Sequence, residues 1–84
     1  MAYVFYINDY KVKYVMHCKT KEEAIDFCNY LHSIGKRWAA GNRYDEETYY
    51  HNYKEDTAYN FNDNTFENTP YYDSMGYIIL EWSD

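Results

Sequence analysis

Residues 20–35, TKEEAIDFCNYLHSIG, constrain the fold more than any other stretch of this chain. Thr20 followed by Glu23 is a capping box, in which a hydroxyl and a carboxylate satisfy backbone donors that the first helical turn leaves unpaired. Ala24, Phe27, Cys28, Leu31 and Ile34 then recur at helical spacing, with Ile25 widening the apolar stripe. Gly35 sits where a left-handed residue ends a helix, and Lys36 and Arg37 bring positive charge to that end. The pattern predicts a helix over about residues 21–34.

The rest of the chain reads as strands. Tyr3 to Ile7 is rich in β-branched and aromatic residues, and Asn8 and Asp9 are turn formers. Val12, Tyr14, Met16 and Cys18 then alternate with Lys11, Lys13, Val15 and His17, which completes a hairpin. RWAAGN predicts a short strand ended by Gly41 and Asn42. TAYNFNDNTFEN reads as a second hairpin, with Tyr59 and Phe61 facing Thr65 and Phe66 across Asn62, Asp63 and Asn64. In TPYYDSMG, Pro70 is expected to bar a helix and Gly76 to redirect the chain. YIILEW, a continuous apolar run, fits a central strand covered on both faces. The order β-β-α-β-β-β-β implies an α+β two-layer sandwich, a mostly antiparallel sheet of about five to six strands covered by one helix. Residues 1–84 form a single domain, at a size where one hydrophobic core just suffices.

Composition supports folding, since the 84 residues are 46% hydrophobic and include 13 Tyr but only 3 Gly and 1 Pro. That is too apolar and aromatic for intrinsic disorder. Cys18 and Cys28 could make a single bridge, and no signal-like segment precedes them, so the expectation is reduced thiols in the cytoplasm. No apolar run approaches the length of a membrane span. Charge is uneven. Residues 1–43 carry seven basic groups against four acids, a balance of +3, whereas residues 44–84 carry ten acids against Lys54, a balance of −9.

No motif of a catalytic site is present. Cys18, Cys28 and His32, with His17 or His51, could supply zinc ligands, but the spacing matches no common finger and both cysteines lie in apolar stripes. No metal or cofactor is expected. Cys28 on a core stripe is a poor nucleophile, and Glu46/Glu47 or Glu55/Asp56 would need a pocket to separate their pKa values. No glycine-rich phosphate loop or nucleophile elbow occurs, so the chain is read as a non-enzyme. Lys11, Lys13, Lys19 and Lys21 among Tyr6, Tyr10 and Tyr14 suit single-stranded nucleic acid, yet a net charge of −6 opposes phosphate, and direct nucleic-acid binding ranks below a protein partner.

YDEETYYHNYKED, residues 44–56, is the stretch that points furthest. It is too aromatic for a solubilising loop, and tyrosine is enriched at recognition surfaces. The acids continue at Asp63, Glu67, Asp73, Glu81 and Asp84, interleaved with Tyr59, Tyr71, Tyr72 and Tyr77. Carboxylates on such a face stand in for phosphates and rings for bases, which would attract a protein that grips nucleic acid through Arg and Lys. The expected partner-binding residues are Asp45, Glu46, Glu47, Glu55 and Asp56 for basic groups, with Tyr49, Tyr50 and Tyr53 as anchors and Asp63 and Glu67 contributed by the second hairpin.

LHSIGKRWAAG, the tyrosine-rich middle, TAYNFNDNT and the closing GYIILEWSD resemble small proteins encoded by phages and other mobile elements of low-GC bacteria. Such proteins include inhibitors of host defence, among them anti-CRISPR and anti-restriction proteins. The resemblance implies an anti-CRISPR-like inhibitor in the host bacterial cytoplasm that binds a defence effector, Cas-type or another nucleic-acid-binding complex, and blocks nucleic-acid access. It carries over no catalytic residues. Two other readings stand beside it. One is a protein that sequesters a nucleotide signal, with tyrosines on the base and Lys11, Lys13, Arg37 or Arg43 on phosphate. The other is a small nucleic-acid-binding modulator of phage or plasmid replication. A homodimer is left open.

Overall fold

The computed structural model describes residues 13–82 of the protein. Among them four strands form one sheet: β1 (Tyr14–His17), β2 (Thr57–Asn60), β3 (Thr65–Asn68) and β4 (Ile78–Glu81), in the order β3-β2-β1-β4. β2 is antiparallel to both β1 and β3, while β4 runs parallel to β1. The architecture is α+β, as expected, but the described sheet is mixed and four-stranded. Part of the expected first hairpin, Tyr3 to Ile7 with Asn8 and Asp9, lies outside the described residues.

α1 (Lys21–Ser33) forms where its caps demand. Thr20 Oγ1 accepts the Glu23 N–H at 3.1 Å, and the Glu23 carboxylate reaches back to the Lys19 N–H at 3.0 Å. At the other end Gly35, at φ +86°, donates to the His32 carbonyl and Lys36 to the Leu31 carbonyl, each at 3.0 Å. That is a Schellman motif, which a glycine at this φ permits. Ala24, Phe27, Cys28 and Leu31 are buried, but Ile25 and Ile34 are exposed, so the stripe is narrower than its apolar letters suggest.

Strand alternation sends side chains to two faces, and both faces are covered. Met16 and Tyr59 join α1, Trp38, Tyr44, Phe61 and Trp82 in the larger core. Val15 and Ala58 pack on the other face against Tyr72 of α3 (Thr69–Ser74). α3 corrects the expectation that Pro70 bars a helix. Pro70 occupies the first turn, where its missing N–H has no partner to lose, and the Asn68 side chain caps the helix by accepting the Tyr71 N–H at 2.8 Å. A second Schellman motif at Gly76 closes it, with Tyr77 N–H on the Tyr72 carbonyl at 3.0 Å and the two rings 4.9 Å apart. The single covering helix of the expected two-layer sandwich is thus joined by a short one on the opposite side.

Two further expectations are corrected. RWAAGN is no strand but a turn, because Trp38 N–H bonds to the Asn42 carbonyl at 3.0 Å and only Arg37 and Arg43 form a bridge. β4 is terminal within the described sheet rather than central, with Ile78 47% exposed. Its apolar run arises because Leu80 packs toward the α1 core and Ile79 toward the α3 core. The second hairpin forms, with Tyr59 opposite Phe66 and Asn60 opposite Thr65, but Phe61 belongs to the turn and not to the strand.

Candidate partner-binding surface

The long connection from α1 to β2 contains α2 (Tyr50–Tyr53) and a 3₁₀ turn at Lys54–Asp56. It runs back along α1. Asp45 stands beside His32 near the C-terminal end of that helix, at 3.5 Å, whereas the Glu55 carbonyl meets His17, at the end of the strand that leads into α1. From Lys21 to His32 the helix rises about 17 Å, so the acids of 44–56 are strung out and do not form one cluster.

Most of these groups already have partners. Arg43 grips Asp45 with two bonds, Nε to Oδ1 at 2.8 Å and Nη2 to Oδ2 at 2.5 Å, which holds the Asp45 carboxyl below its usual range. Glu46 accepts the Arg43 N–H at 3.4 Å. The Glu47 carboxylate accepts the Tyr49 N–H at 2.9 Å and lies 3.8 Å from His51. Glu55 and Asp56 are exposed on either side of the His17 contact.

The rings turn inward. Tyr44 is fully buried, and its hydroxyl donates to Asn64 Oδ1 at 2.9 Å. Tyr49 stacks on Phe66, with centroids 4.8 Å apart and planes 9° from parallel, and meets Trp38 edge-on at 4.8 Å. Tyr50 packs against the core and donates to the Lys19 carbonyl at 2.7 Å. Tyr49 and Tyr50, both half-buried, therefore hold their segment to the sheet while part of each ring stays accessible. A segment with no aliphatic residue must use its phenols as core.

Tyr53, Glu67 and Asp63 come together instead with residues outside the first candidate stretch. The Tyr53 ring leans on Phe66 at 5.9 Å and its hydroxyl bonds the Glu67 side chain, which raises the Tyr53 pKa. On the α3 face of the sheet, Asp63 and Glu67 share a cleft of about 230 Å³ with Tyr71, Tyr72 and Tyr77. None of the residues lining it is basic. Tyr72 forms the floor at 3% exposure, while Tyr71, 46% exposed, stands at the mouth. Lys13 Nζ lies 5.5 Å from the Tyr77 ring centroid, within reach of a cation–π contact. These three tyrosines are interleaved with acids in the sequence, and it is the α3 turn that folds them over the hairpin.

The outer edge of β3 is guarded. Ala39 N–H takes the Asn64 carbonyl at 3.0 Å at one end, and the Tyr53–Glu67 contact lies at the other. Such cover suppresses strand pairing with other chains.

Cys18 and Cys28 are buried in the larger core, and burial pushes both thiols up, Cys28 to about 12. Thiolate chemistry is suppressed there. Among the described residues no three His, Cys, Asp or Glu groups converge as metal ligands, and no helix is long and apolar enough to cross a membrane. No family model, curated protein or solved structure matches the chain.

Proposed function

We propose that the protein is a non-enzymatic, anti-CRISPR-like inhibitor of phage type, which binds a basic, nucleic-acid-gripping surface of a host defence effector and blocks nucleic-acid access. The observation that carries this reading is the pairing of Asp63 and Glu67 with Tyr71, Tyr72 and Tyr77 in one cleft lined by no basic group. A guanidinium or ammonium entering it gains carboxylate partners and ring faces together. The net charge of −6 steers basic partners toward the molecule from a distance. Glu46, Glu55 and Asp56, outside the cleft, add to this long-range attraction, where charge changes association rate more than affinity.

The test is affinity capture from a bacterium with intact defence systems, followed by assay of the captured effector's nucleic-acid binding. Addition of the protein should abolish that binding. Asp63→Lys with Glu67→Lys should release the effector while circular dichroism stays native, and Glu46→Lys should leave capture within a few-fold. Retention of the effector by the double variant would refute the cleft as the contact.

A further inference from the structure

Asp63 and Glu67 line the hairpin–α3 cleft with their charge unmatched. Asp63 Oδ2 accepts an amide proton of Asn60 at 3.2 Å, Glu67 Oε1 accepts the Asn68 N–H at 3.3 Å, and the Tyr53 hydroxyl bonds the Glu67 side chain. All these donors are neutral, so they hold the carboxylates in place without cancelling them. Among the described residues neither carboxylate forms an ion pair, and Asp63 Oδ1 has no hydrogen-bond partner.

The rings of the cleft do not stack on one another. Tyr72 meets Tyr71 at 5.4 Å with planes 72° apart, and Tyr77 at 4.9 Å with planes 58° apart. Lys13 supplies a second, independent observation: its ammonium stands 5.5 Å from the Tyr77 centroid, so a ring of this cleft already draws a cation. Tyr72 is buried as the floor, which leaves Tyr71, 46% exposed, as the open ring.

We propose that the cleft takes one arginine side chain of the partner, its guanidinium stacked on Tyr71 and donating to Asp63 and Glu67. This pocket rests on the reading of the cleft as a contact for a basic partner, and it narrows that partner's chemistry. At about 230 Å³ the cleft falls below the roughly 300–1,000 Å³ of small-molecule sites, and it suits the head of one side chain better than a metabolite. The guarded edge of β3 discourages an added strand, so contact comes through an inserted side chain. A lysine ammonium is a compact, strongly hydrated charge with no plane to lay on a ring. A quaternary ammonium has no N–H, and would leave both carboxylates without donors. Guanidinium is weakly hydrated and planar, with enough N–H groups for both carboxylates while its face lies on the ring.

The experiment is an amide NMR titration of the full chain with the N-acetyl methylamides of arginine, lysine, trimethyllysine and citrulline, the last being planar but uncharged. The arginine probe should shift the amides of residues 63–67 and 71–77 saturably, and bind about ten-fold more tightly than the other three. Asp63→Asn and Glu67→Gln should each weaken it about ten-fold, the loss of one charge-assisted hydrogen bond. Tyr71→Leu, at an exposed position that does not hold the core, should weaken it about three-fold. Lys13→Gln should strengthen it a few-fold by removing a like charge from the cleft. Glu22→Gln, on α1, should change nothing. The proposal is overturned if the arginine probe causes no shifts at these amides, or if Glu22→Gln weakens it as much as Asp63→Asn. Equal binding of the lysine probe would overturn the choice of arginine while the basic-partner reading stood. Retention of the captured effector by Asp63→Lys with Glu67→Lys, with the arginine shifts of the native chain intact, would overturn that reading and still support the arginine pocket.

Discussion

Trp38 ties the connection between α1 and β2 to the sheet. It is 4% exposed, contacts Tyr44 at 4.3 Å, Tyr49 at 4.8 Å, Tyr59 at 5.8 Å and Phe66 at 5.7 Å, and donates its indole N–H to the Glu47 carbonyl at 2.8 Å. Trp38→Phe keeps an aromatic ring but removes the donor. A partly buried carbonyl left without its donor costs about 1 kcal/mol, the low end for an orphaned acceptor. The side chain also shrinks by roughly 40 Å³, worth about 1 kcal/mol at about 24 cal/mol per Å³ of cavity. Together the change should remove about 2 kcal/mol and lower Tm by roughly 8–16 °C, since a domain of this size shifts about 4–8 °C per kcal/mol. Trp38→Ala should cost about 3–5 kcal/mol. Urea denaturation measures the loss, and amide exchange locates it. Because the bond ties residue 47 to the sheet, exchange at residues 47–53 should accelerate in Trp38→Phe more than exchange in α1. A loss below about 0.5 kcal/mol, the range of ordinary surface substitutions, would refute the anchoring role, as would acceleration spread evenly over the chain.

Three further outcomes are expected. His17 donates from Nε2 to the Glu55 carbonyl at 2.5 Å and from Nδ1 to Glu81 at 2.8 Å; burial alone would lower its pKa, but these contacts and the Asp56 charge outweigh it and raise the pKa above the ordinary 6.5. The stability it adds is therefore full below about pH 6.5 and fades as pH rises through the higher folded value, so the gap to His17→Gln in urea unfolding should narrow from pH 6 to pH 9, and a widening gap would contradict the contact. Lys54 sits at φ 51° and ψ −122°, a conformation suited to glycine. Lys54→Gly should raise stability by about 1 kcal/mol by calorimetry, strain relief outweighing the added freedom of the unfolded chain, and a loss would mean the backbone there is unstrained. Tyr44→Phe should cost about 1 kcal/mol in urea unfolding through the lost Asn64 bond, and equal stability would show that the hydroxyl is not holding the hairpin turn.

The parts legible in the sequence are those whose causes are local. The caps of α1 and the turn formers of the second hairpin act over three or four residues, and both elements form, the hairpin with Phe61 drawn into its turn. What escaped reading depends on distant partners. The parallel pairing of β4 with β1 joins residues more than sixty positions apart, and nothing within YIILEW specifies direction. Pro70 is ambiguous in sequence because proline stops a helix from inside but starts one at its first turn, and the deciding Asn68 cap sits at the end of a strand. Asp63 and Glu67 were named from the pattern of acids, but Tyr71, Tyr72 and Tyr77 join them only through the α3 turn.

The same logic separates the two roles of tyrosine. Between Gly35 and Thr57 the chain has almost no aliphatic side chain, yet it must lie on a sheet without leaving buried carbonyls unpaired. Tyrosine answers both demands, an apolar body for packing and a hydroxyl for the nearest carbonyl. Tyr59 donates to the Thr48 carbonyl at 2.6 Å and Tyr50 to the Lys19 carbonyl at 2.7 Å, so each phenol staples a connection from within. Richness in tyrosine is then a structural need of residues 44–56, and the acids beside them are outside because the rings are inside. The carboxylates of that segment are already engaged in part by Arg43 and His51. In the hairpin–α3 cleft the division differs: Tyr71 is exposed and Tyr77 half-exposed beside Asp63 and Glu67, so ring and charge share one surface there.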